Sequence, residues 1–228
     1  MTPPPFDGTS TEAFAKLRRR MVERQLRARG IRDERVLNAM AEVPRELFVP
    51  EEVRSEAYRD GALRIGEGQT ISQPWIVASM TALLALDGDE TVLEVGTGSG
   101  YGAAVISRCC REVVTIERHA SLAKRAAAVL HELRYDNVEV RIGDGSKGAP
   151  DRAPFDGISV TATAIGDPPP ALLAQLAPDG VLVCPVSRGG DERLMRFDAE
   201  GHGQSVVPVR FVPLVESGPE EGDAGQGR

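Results

Sequence analysis

Residues 91–102, TVLEVGTGSGYG, run a short β-prone stretch directly into Gly96, Gly98, Gly100 and Gly102, after which a helical pattern resumes. Alternate glycines at a strand-to-helix turn remove the Cβ atoms that would keep a ligand off the backbone. Main-chain N–H groups and the positive end of the following helix then face that ligand. Four glycines exceed what a tight turn needs, so the segment predicts a bound nucleotide or nucleoside and, around it, an α/β sheet with the site at its carboxyl edge.

The chain has 228 residues, enough for one sizeable α/β domain and tight for two independent cores. A net charge of −7, from 27 Lys plus Arg against 34 Asp plus Glu, argues against binding nucleic acid through bulk charge. No apolar run approaches a membrane span, and MTPPPFDGTSTE has neither a basic nor an apolar signal region, so a cytoplasmic protein without membrane contact is expected. Cys109 and Cys110 are adjacent and Cys184 stands alone, which predicts buried, reduced thiols and no metal site. Lys16, Arg18, Arg19, Arg20, Arg24, Arg27 and Arg29 crowd one predicted helix, either as a solvated face or as a surface for acidic polypeptides.

Residues 1–10 read as a flexible lead-in and 216–228 as a disordered acidic tail, leaving a single domain over 11–215. Its first part, 11–60, is a helical subdomain: Thr11 to Arg29 with Gly30 as its stop, then a helix from Asp33 through Met40. Residues 61–73 show no period, and Pro74 opens a helix to about Leu86, so 61–90 is a substrate-side segment and helix. From 91 to 215 strand and helix alternate. Strands are expected at Thr91–Val95, Glu112–Ile116, Val138–Ile142, Gly157–Val160 and 181–186, with helices from Tyr101, over His119–Leu133 and over Pro170–Leu176. That is a doubly wound, Rossmann-like, mostly parallel sheet. The stretches 193–197 and 206–215 lack an intervening helix and should close one edge as antiparallel neighbours.

Glu117, about twenty residues past the first glycine and at the end of the second strand, suits the two ribose hydroxyls of an adenosine. That leaves NAD and S-adenosylmethionine both open. Tyr101 stands where a dinucleotide fingerprint wants its third glycine, although a frame from Gly98 to Ala103 meets the relaxed pattern. Asp144 and Gly145 follow the third strand on the same sheet edge, where an adenine amine can be held, and no histidine is arranged as a proton donor for hydride chemistry. The methyl donor is favoured.

Several segments in order also resemble one family, the protein-L-isoaspartate (D-aspartate) O-methyltransferases. They are GEGQTISQPWIVASM at 66–80, VLEVGTGSGY at 92–101, VVTIER at 113–118, YDNVEVRIGDG at 135–145, APFDGISVTATA at 153–164 and VRFVPLV at 209–215. The lead-in MVERQLRARGI with VPRELFVP is similar too. TISQP is the most specific of these. The resemblance implies Ser72 as the active-site residue, with Gln69, Thr70 and Ile71 lining substrate and cofactor. It implies Glu94 and Gly96 at the methionine end, Glu117 at the ribose and Asp144 with Gly145 at the adenine, with Thr97, Gly98, Gly100 and Arg118 also binding the cofactor. The bare residue reading of Ser72 adds a hydroxyl of helix N-cap type beside Pro74. The sequence departs from the family at Gly102 (commonly Gln), Trp75 (commonly Tyr) and Ile165-Gly166-Asp167, in a loop that would help cover the substrate.

The implied reaction moves a methyl from S-adenosyl-L-methionine to the α-carboxyl of L-isoaspartyl or D-aspartyl residues in damaged proteins or peptides, leaving S-adenosyl-L-homocysteine. The ester then closes to a succinimide, which starts repair. The expected enzyme is monomeric and metal-free. Two other readings stand beside it: a relative acting on normal Asp in a biosynthetic precursor, and a non-catalytic nucleoside-binding protein.

Overall fold

In the computed structural model, residues 8–215 are described, with side chains from residue 12; the expected acidic tail and most of the lead-in lie outside them. The chain enters through α1 (Gly8–Met21), which begins inside the expected lead-in. The long helix expected to Arg29 instead passes into a widened π turn at Val22–Leu26 and a 3-10 turn at Arg27–Arg29, a change of pitch that leaves Met21, Val22 and Leu26 all buried. Gly30 ends it in the left-handed conformation, at φ 95°. The Asp33 side chain caps α2 (Glu34–Glu42) by accepting from the amides of Arg35 and Val36.

Residues 61–73, without a period in the sequence, form a hairpin of β1 (Leu63–Gly66) and β2 (Gln69–Ile71). Its turn uses Glu67 and Gly68, both at positive φ, where the sequence offers none of the usual Asn-Gly or Asp-Gly signals, and a bulge between Arg64 and Gly66 breaks the alternation. Next comes α3 (Pro74–Leu83), with Pro74 at its first position.

The main sheet contains β3 (Thr91–Val95), β4 (Glu112–Glu117), β5 (Val138–Ile142), β6 (Phe155–Val160), β7 (Ala164–Ile165), β8 (Leu176–Arg188), β9 (Asp191–Phe197) and β10 (Gly203–Pro208). Its order is β10-β9-β8-β6-β3-β4-β5, with β7 beside β8. Strands β3 to β6 and β8 pair in parallel, linked by α4 (Tyr101–Ser107), α5 (Ala120–Glu132) and α6 (Pro170–Leu173), whereas β8-β9 and β9-β10 are antiparallel. The winding reverses at β3, which opens a crevice at the carboxyl ends of β3, β4 and β6.

Alternation within single strands divides the core. Val92 and Val113 face the helical N-terminal elements and share a cluster with Met21, Leu37, Met40 and Tyr101. Leu93, Val95, Val114 and Ile116 face the other way, onto Phe155, Ile158 and Leu182. The helical lead-in therefore packs directly on one face of the sheet. Its expected basic face is partly neutralised: Lys16, Arg18, Arg27 and Arg29 pair with Glu12, Glu46, Glu34 and Asp60. Each exposed pair contributes at most about 1 kcal/mol.

Two expected strands differ. Pro178-Asp179-Gly180, expected as a turn before a strand at 181–186, is an excursion within β8, which pairs at Leu176 with Phe155 and resumes at Val181 opposite Gly157. The stretch 206–215 is a strand only to Pro208. Beyond it, 209–215 leaves the ladder as a strap, because Pro208 and Pro213 cannot donate and its bonds become discontinuous. Val209 N donates to Glu192 O, Phe211 N to the Glu192 carboxylate, and Leu214 N to Thr163 O.

Gly100 begins α4 at φ 88°, and a Cβ there would lie 3.2 Å from Ala126 Cβ and 3.3 Å from Leu130 Cδ1. Gly100→Ala is expected to cost about 2 kcal/mol through left-handed strain and crowding of α5. Urea unfolding should show a lower midpoint at unchanged slope; an unmoved midpoint would contradict this packing.

Candidate functional site

A cavity of about 760 Å³ opens at the crevice. Its floor is the turn after β3, one wall is the β1-β2 hairpin with Ser72, and the strap at 208–215 crosses the other side.

The glycine turn does not work as the sequence implied. Gly96 N and Thr97 N donate to Ile116 O, Gly98 N to the Glu117 carboxylate at 2.8 Å, and Gly100 N to Thr97 O. These amides hold the turn to β4 and to itself, so they do not form the cradle a pyrophosphate would require. The remaining role is steric. A Cβ on Gly96 would sit 2.3 Å from Thr161 Oγ1, and that hydroxyl bonds Gly96 O at 2.8 Å and Val95 O at 3.0 Å.

Two carboxylates dominate the electrostatics. Glu94, at the end of β3, is 1% exposed, and its Oε2 accepts from Thr115 Oγ1 at 2.6 Å. Thr115 in turn meets Thr97 Oγ1 at 2.6 Å; since Thr115 spends its proton on Glu94, Thr97 is the donor there. Thr97 is thus part of the support under Glu94. With no cationic partner among the described residues, burial pushes the Glu94 carboxyl up to about 8, and Glu117 nearby adds to the rise. Gly102 on α4 makes room for this carboxylate: a Cβ there would meet Glu94 Oε1 at 2.3 Å.

Glu117 is 5% exposed at the end of β4 and accepts from Gly98 N through Oε2 and from His119 N, at 2.9 Å, through Oε1. A carboxylate has about four lone-pair sites, so roughly two remain, the number a ribose diol requires. A buried acid without a cation and a second acid oriented by two amides fit a cationic nucleoside better than a polyphosphate. This pair of acceptors fits S-adenosylmethionine.

The hairpin wall is tied to α5. Arg125 Nη2 donates to Ile65 O at 2.7 Å and Ser121 Oγ to Glu67 Oε1 at 2.7 Å. Gln69, Thr70 and Ile71 thereby line the cavity with Ser72. The N-cap of α3 is Gln73, without a side-chain cap bond, so the capping role considered for Ser72 is not used. Gln73 Nε2 instead donates to Asp60 Oδ1 at 2.5 Å.

Of the residues singled out in the sequence, the cavity brings together Gln69, Thr70, Ile71, Ser72, Glu94, Gly96, Thr97, Gly98, Glu117, Arg118 and Gly145. Gly145 lies close to β3, where a Cβ would meet Val95 Cγ1 at 2.4 Å. Gly100 is not in the wall and serves helix packing. Asp144 lines a smaller neighbouring cavity with Arg118, Gly143 and Val215, and its Oδ1 accepts from Ser146 N at 3.0 Å and Ser146 Oγ at 2.7 Å. Sequence reasoning missed Thr161, Ala162, His119 and the strap residues Arg210, Phe211 and Leu214. The prolines at 208 and 213 were the available signal for the strap. Of the family departures, Trp75 lies under Arg29 at 4.6 Å, and Ile165 is 85% exposed. Among the described residues, Asp198, Glu200 and His202 form a cluster of metal-ligand type in the β9-β10 turn, outside the cavity wall.

The raised Glu94 carboxyl has a sign that can be tested. Its folded value of about 8 exceeds the ordinary 4.5, so its contribution to stability is complete below 4.5 and is lost as pH rises through 8. Unfolding free energy of the ligand-free chain should fall with pH across that window, and Glu94→Gln should flatten the slope. Equal slopes for the two proteins would contradict the burial assigned to Glu94.

Comparison with known proteins points to one family. The family model for protein-L-isoaspartate(D-aspartate) O-methyltransferase matches residues 17–218. A protein-L-isoaspartate O-methyltransferase of Roseiflexus sp. (strain RS-1) is 52% identical over 205 residues, 89% of this chain and 93% of the relative. One from Rhodopseudomonas palustris (strain HaA2) is 50% identical over 221 residues, covering 93% of this chain and 88% of the relative. Among solved structures, a protein-L-isoaspartate O-methyltransferase at 28% identity superposes with a TM-score of 0.78 over 90% of this chain and 67% of its own. A beta-aspartate methyltransferase structure from Plasmodium falciparum, in complex with S-adenosyl-L-homocysteine, gives 0.74 at 24% identity over 88% of this chain and 99% of its own, which speaks for the fold. With its motifs, sheet topology and cavity in agreement, the chain belongs to the protein-L-isoaspartate(D-aspartate) O-methyltransferase family.

Proposed function

We propose that the chain transfers a methyl group from S-adenosyl-L-methionine to the α-carboxyl of L-isoaspartyl, and D-aspartyl, residues in proteins and peptides, initiating repair through a succinimide. The observation that carries this reading is one cavity with two chemically distinct ends. Buried carboxylates stand at the carboxyl ends of β3 and β4, and an uncharged hydroxyl stands on the hairpin wall.

Bound S-adenosyl-L-methionine supplies a methyl made electrophilic by its sulfonium. Glu94 meets the cationic methionine end, and Glu117 accepts the ribose hydroxyls with the lone pairs left free by Gly98 and His119. Arg118, which lines both cavities, borders the nucleoside, and Gly145 lets the adenine lie against the end of β3. Asp144, expected at the adenine amine, lines the adjoining recess, where its Oδ1 is taken up by Ser146.

The acceptor is a carboxylate, ionised at neutral pH, so no general base is required. Ser72 is the catalytic residue in this reading: its hydroxyl has no partner in the protein among the described residues and donates to one acceptor oxygen, turning the other toward the methyl. Gln69, Thr70 and Ile71 frame the peptide beside it. Ile71, Phe211 and Leu214 give that end apolar walls, which strip water from the attacking oxygen. Alignment and desolvation then supply the rate enhancement. Arg210, exposed on the strap and without an ion-pair partner among the described residues, adds positive charge at the mouth for an anionic acceptor. The three buried thiols, each pushed up to about 12 by burial, suit a reducing cytoplasm.

Methyl transfer from radiolabelled donor to an isoaspartyl peptide, with the normal-Asp peptide as control, tests the function. Labelling of the isoaspartyl peptide is expected. Preference for normal Asp would favour a biosynthetic role, and labelling of neither would leave a nucleoside-binding protein. Ser72→Ala should lower kcat about tenfold or more while S-adenosyl-L-homocysteine affinity survives; an unchanged kcat would remove Ser72 from the chemistry. Glu117→Ala should weaken S-adenosyl-L-homocysteine binding by about 1.5–3 kcal/mol, since a charged acceptor is lost. Calorimetry finding equal affinities would refute the ribose contact.

A further inference from the structure

Arg45 sits in a 3-10 turn at Arg45–Leu47, just after Pro44, and is completely buried. Among the described residues no carboxylate pairs with it. Its guanidinium instead lies over the Tyr101 ring, 4.8 Å from the centroid. Nε donates to Ala57 O at 2.7 Å and Nη2 to Ser72 O at 2.8 Å, while Nη1 is buried without a hydrogen-bond partner.

This arrangement is costly. An unpaired buried guanidinium loses its hydration, and an apolar side chain in such a place is commonly as stable or more so. What the charge gains is directional. Ala57 and Ser72 are the two feet of the segment carrying the β1-β2 hairpin, and two donors of one rigid fork hold both carbonyls. The guanidinium also rests on Tyr101, the first residue of α4 after the glycine turn and itself part of the cavity lining. One side chain outside the cavity wall thus ties the acceptor wall to the cofactor floor.

A carbonyl held from the core side fixes the peptide plane following Ser72, and Pro74 keeps Gln73 extended, at φ −49° and ψ 140°. The Cα–Cβ direction of Ser72 is thereby set from both sides. The Gln73 carbonyl accepts from Ile76 N and Val77 N, and its side chain reaches the exposed Asp60, a contact open to solvent.

We propose that Arg45 is a positioning residue for methyl transfer: its fork fixes the base of the hairpin and the backbone of Ser72 so that the Ser72 hydroxyl is aimed at the acceptor carboxylate. This inference rests on the function proposed above. Arg45→Lys keeps the charge but cannot span both carbonyls, and Arg45→Met removes both.

Full-length wild type and both variants are compared by circular dichroism, by calorimetric titration with S-adenosyl-L-homocysteine and by steady-state kinetics on an isoaspartyl peptide. Folded variants are expected to bind S-adenosyl-L-homocysteine within about threefold of wild type, while kcat falls about tenfold or more for Lys as well as Met. A wild-type kcat in Arg45→Lys overturns the proposal. So does failure of both variants to fold, or a parallel collapse of cofactor affinity and kcat, since either assigns Arg45 a purely structural role. Wild type inactive on the isoaspartyl peptide rejects the functional reading and the inference together, whereas an active wild type with unimpaired variants rejects the inference alone.

Discussion

Everything in the site is referred to two carboxylates at the ends of adjacent parallel strands. The register that pairs Glu94 with Thr115 puts Glu117 two residues farther along β4, so both acids reach the same crevice. Glu94 is desolvated and braced by the Thr97-Thr115 hydroxyl pair; Glu117 is oriented by Gly98 and His119 amides. Burying such a group without a cation costs on the order of several kcal/mol. Apolar residues on both faces of β3 and β4 offset that cost at about 2 kcal/mol each. The sheet can therefore hold at this edge a carboxyl that burial keeps protonated, and that a cationic group beside it would draw into the ionised form.

The hydrogen bonds around these acids also reinterpret the glycines. They are not a set of amides awaiting phosphate, because the amides of Gly96, Thr97, Gly98 and Gly100 are already bonded within the protein. They are places where no Cβ fits: Gly96 against Thr161, Gly102 against the Glu94 carboxylate, Gly100 against α5. The acceptor side comes from elsewhere in the chain. The β1-β2 hairpin precedes the nucleoside-binding core and the strap follows it, and both close over the crevice that the core leaves open. Glu192 anchors the strap through Val209 and Phe211, much as Arg125 and Ser121 anchor the hairpin.

The sequence was most legible where a period or a special backbone position left a mark. Strands β3, β4 and β6 fall within a few residues of expectation because their apolar runs are buried on both faces, β5 and helix α5 because their apolar periods are clear, and Gly30 and Pro74 mark the helix ends expected of them. The hairpin at 63–71 was hidden because its strands are three and four residues long and its turn relies on Glu67 at positive φ. The strap was read as strand because VRFVPLV has β-prone residues, whereas Pro208 and Pro213 divide its hydrogen bonding. Most of the site was legible as residue types: Ser72, Glu94 and Glu117 all reach the cavity. The reach of Asp144 was not, since its side chain caps the turn at Ser146 and faces a separate recess. Nor was Arg45, whose significance depends on two carbonyls twelve and twenty-seven residues away.

The claim that two buried acids select a nucleoside bearing an ammonium group over a dinucleotide is tested most directly by parallel calorimetric titrations of the wild-type chain with S-adenosyl-L-homocysteine and with NAD at neutral pH. The account predicts binding of S-adenosyl-L-homocysteine with release of a proton as its ammonium draws Glu94 into the ionised form, and no measurable binding of NAD. Comparable affinity for NAD, or binding of S-adenosyl-L-homocysteine without proton release, would contradict it.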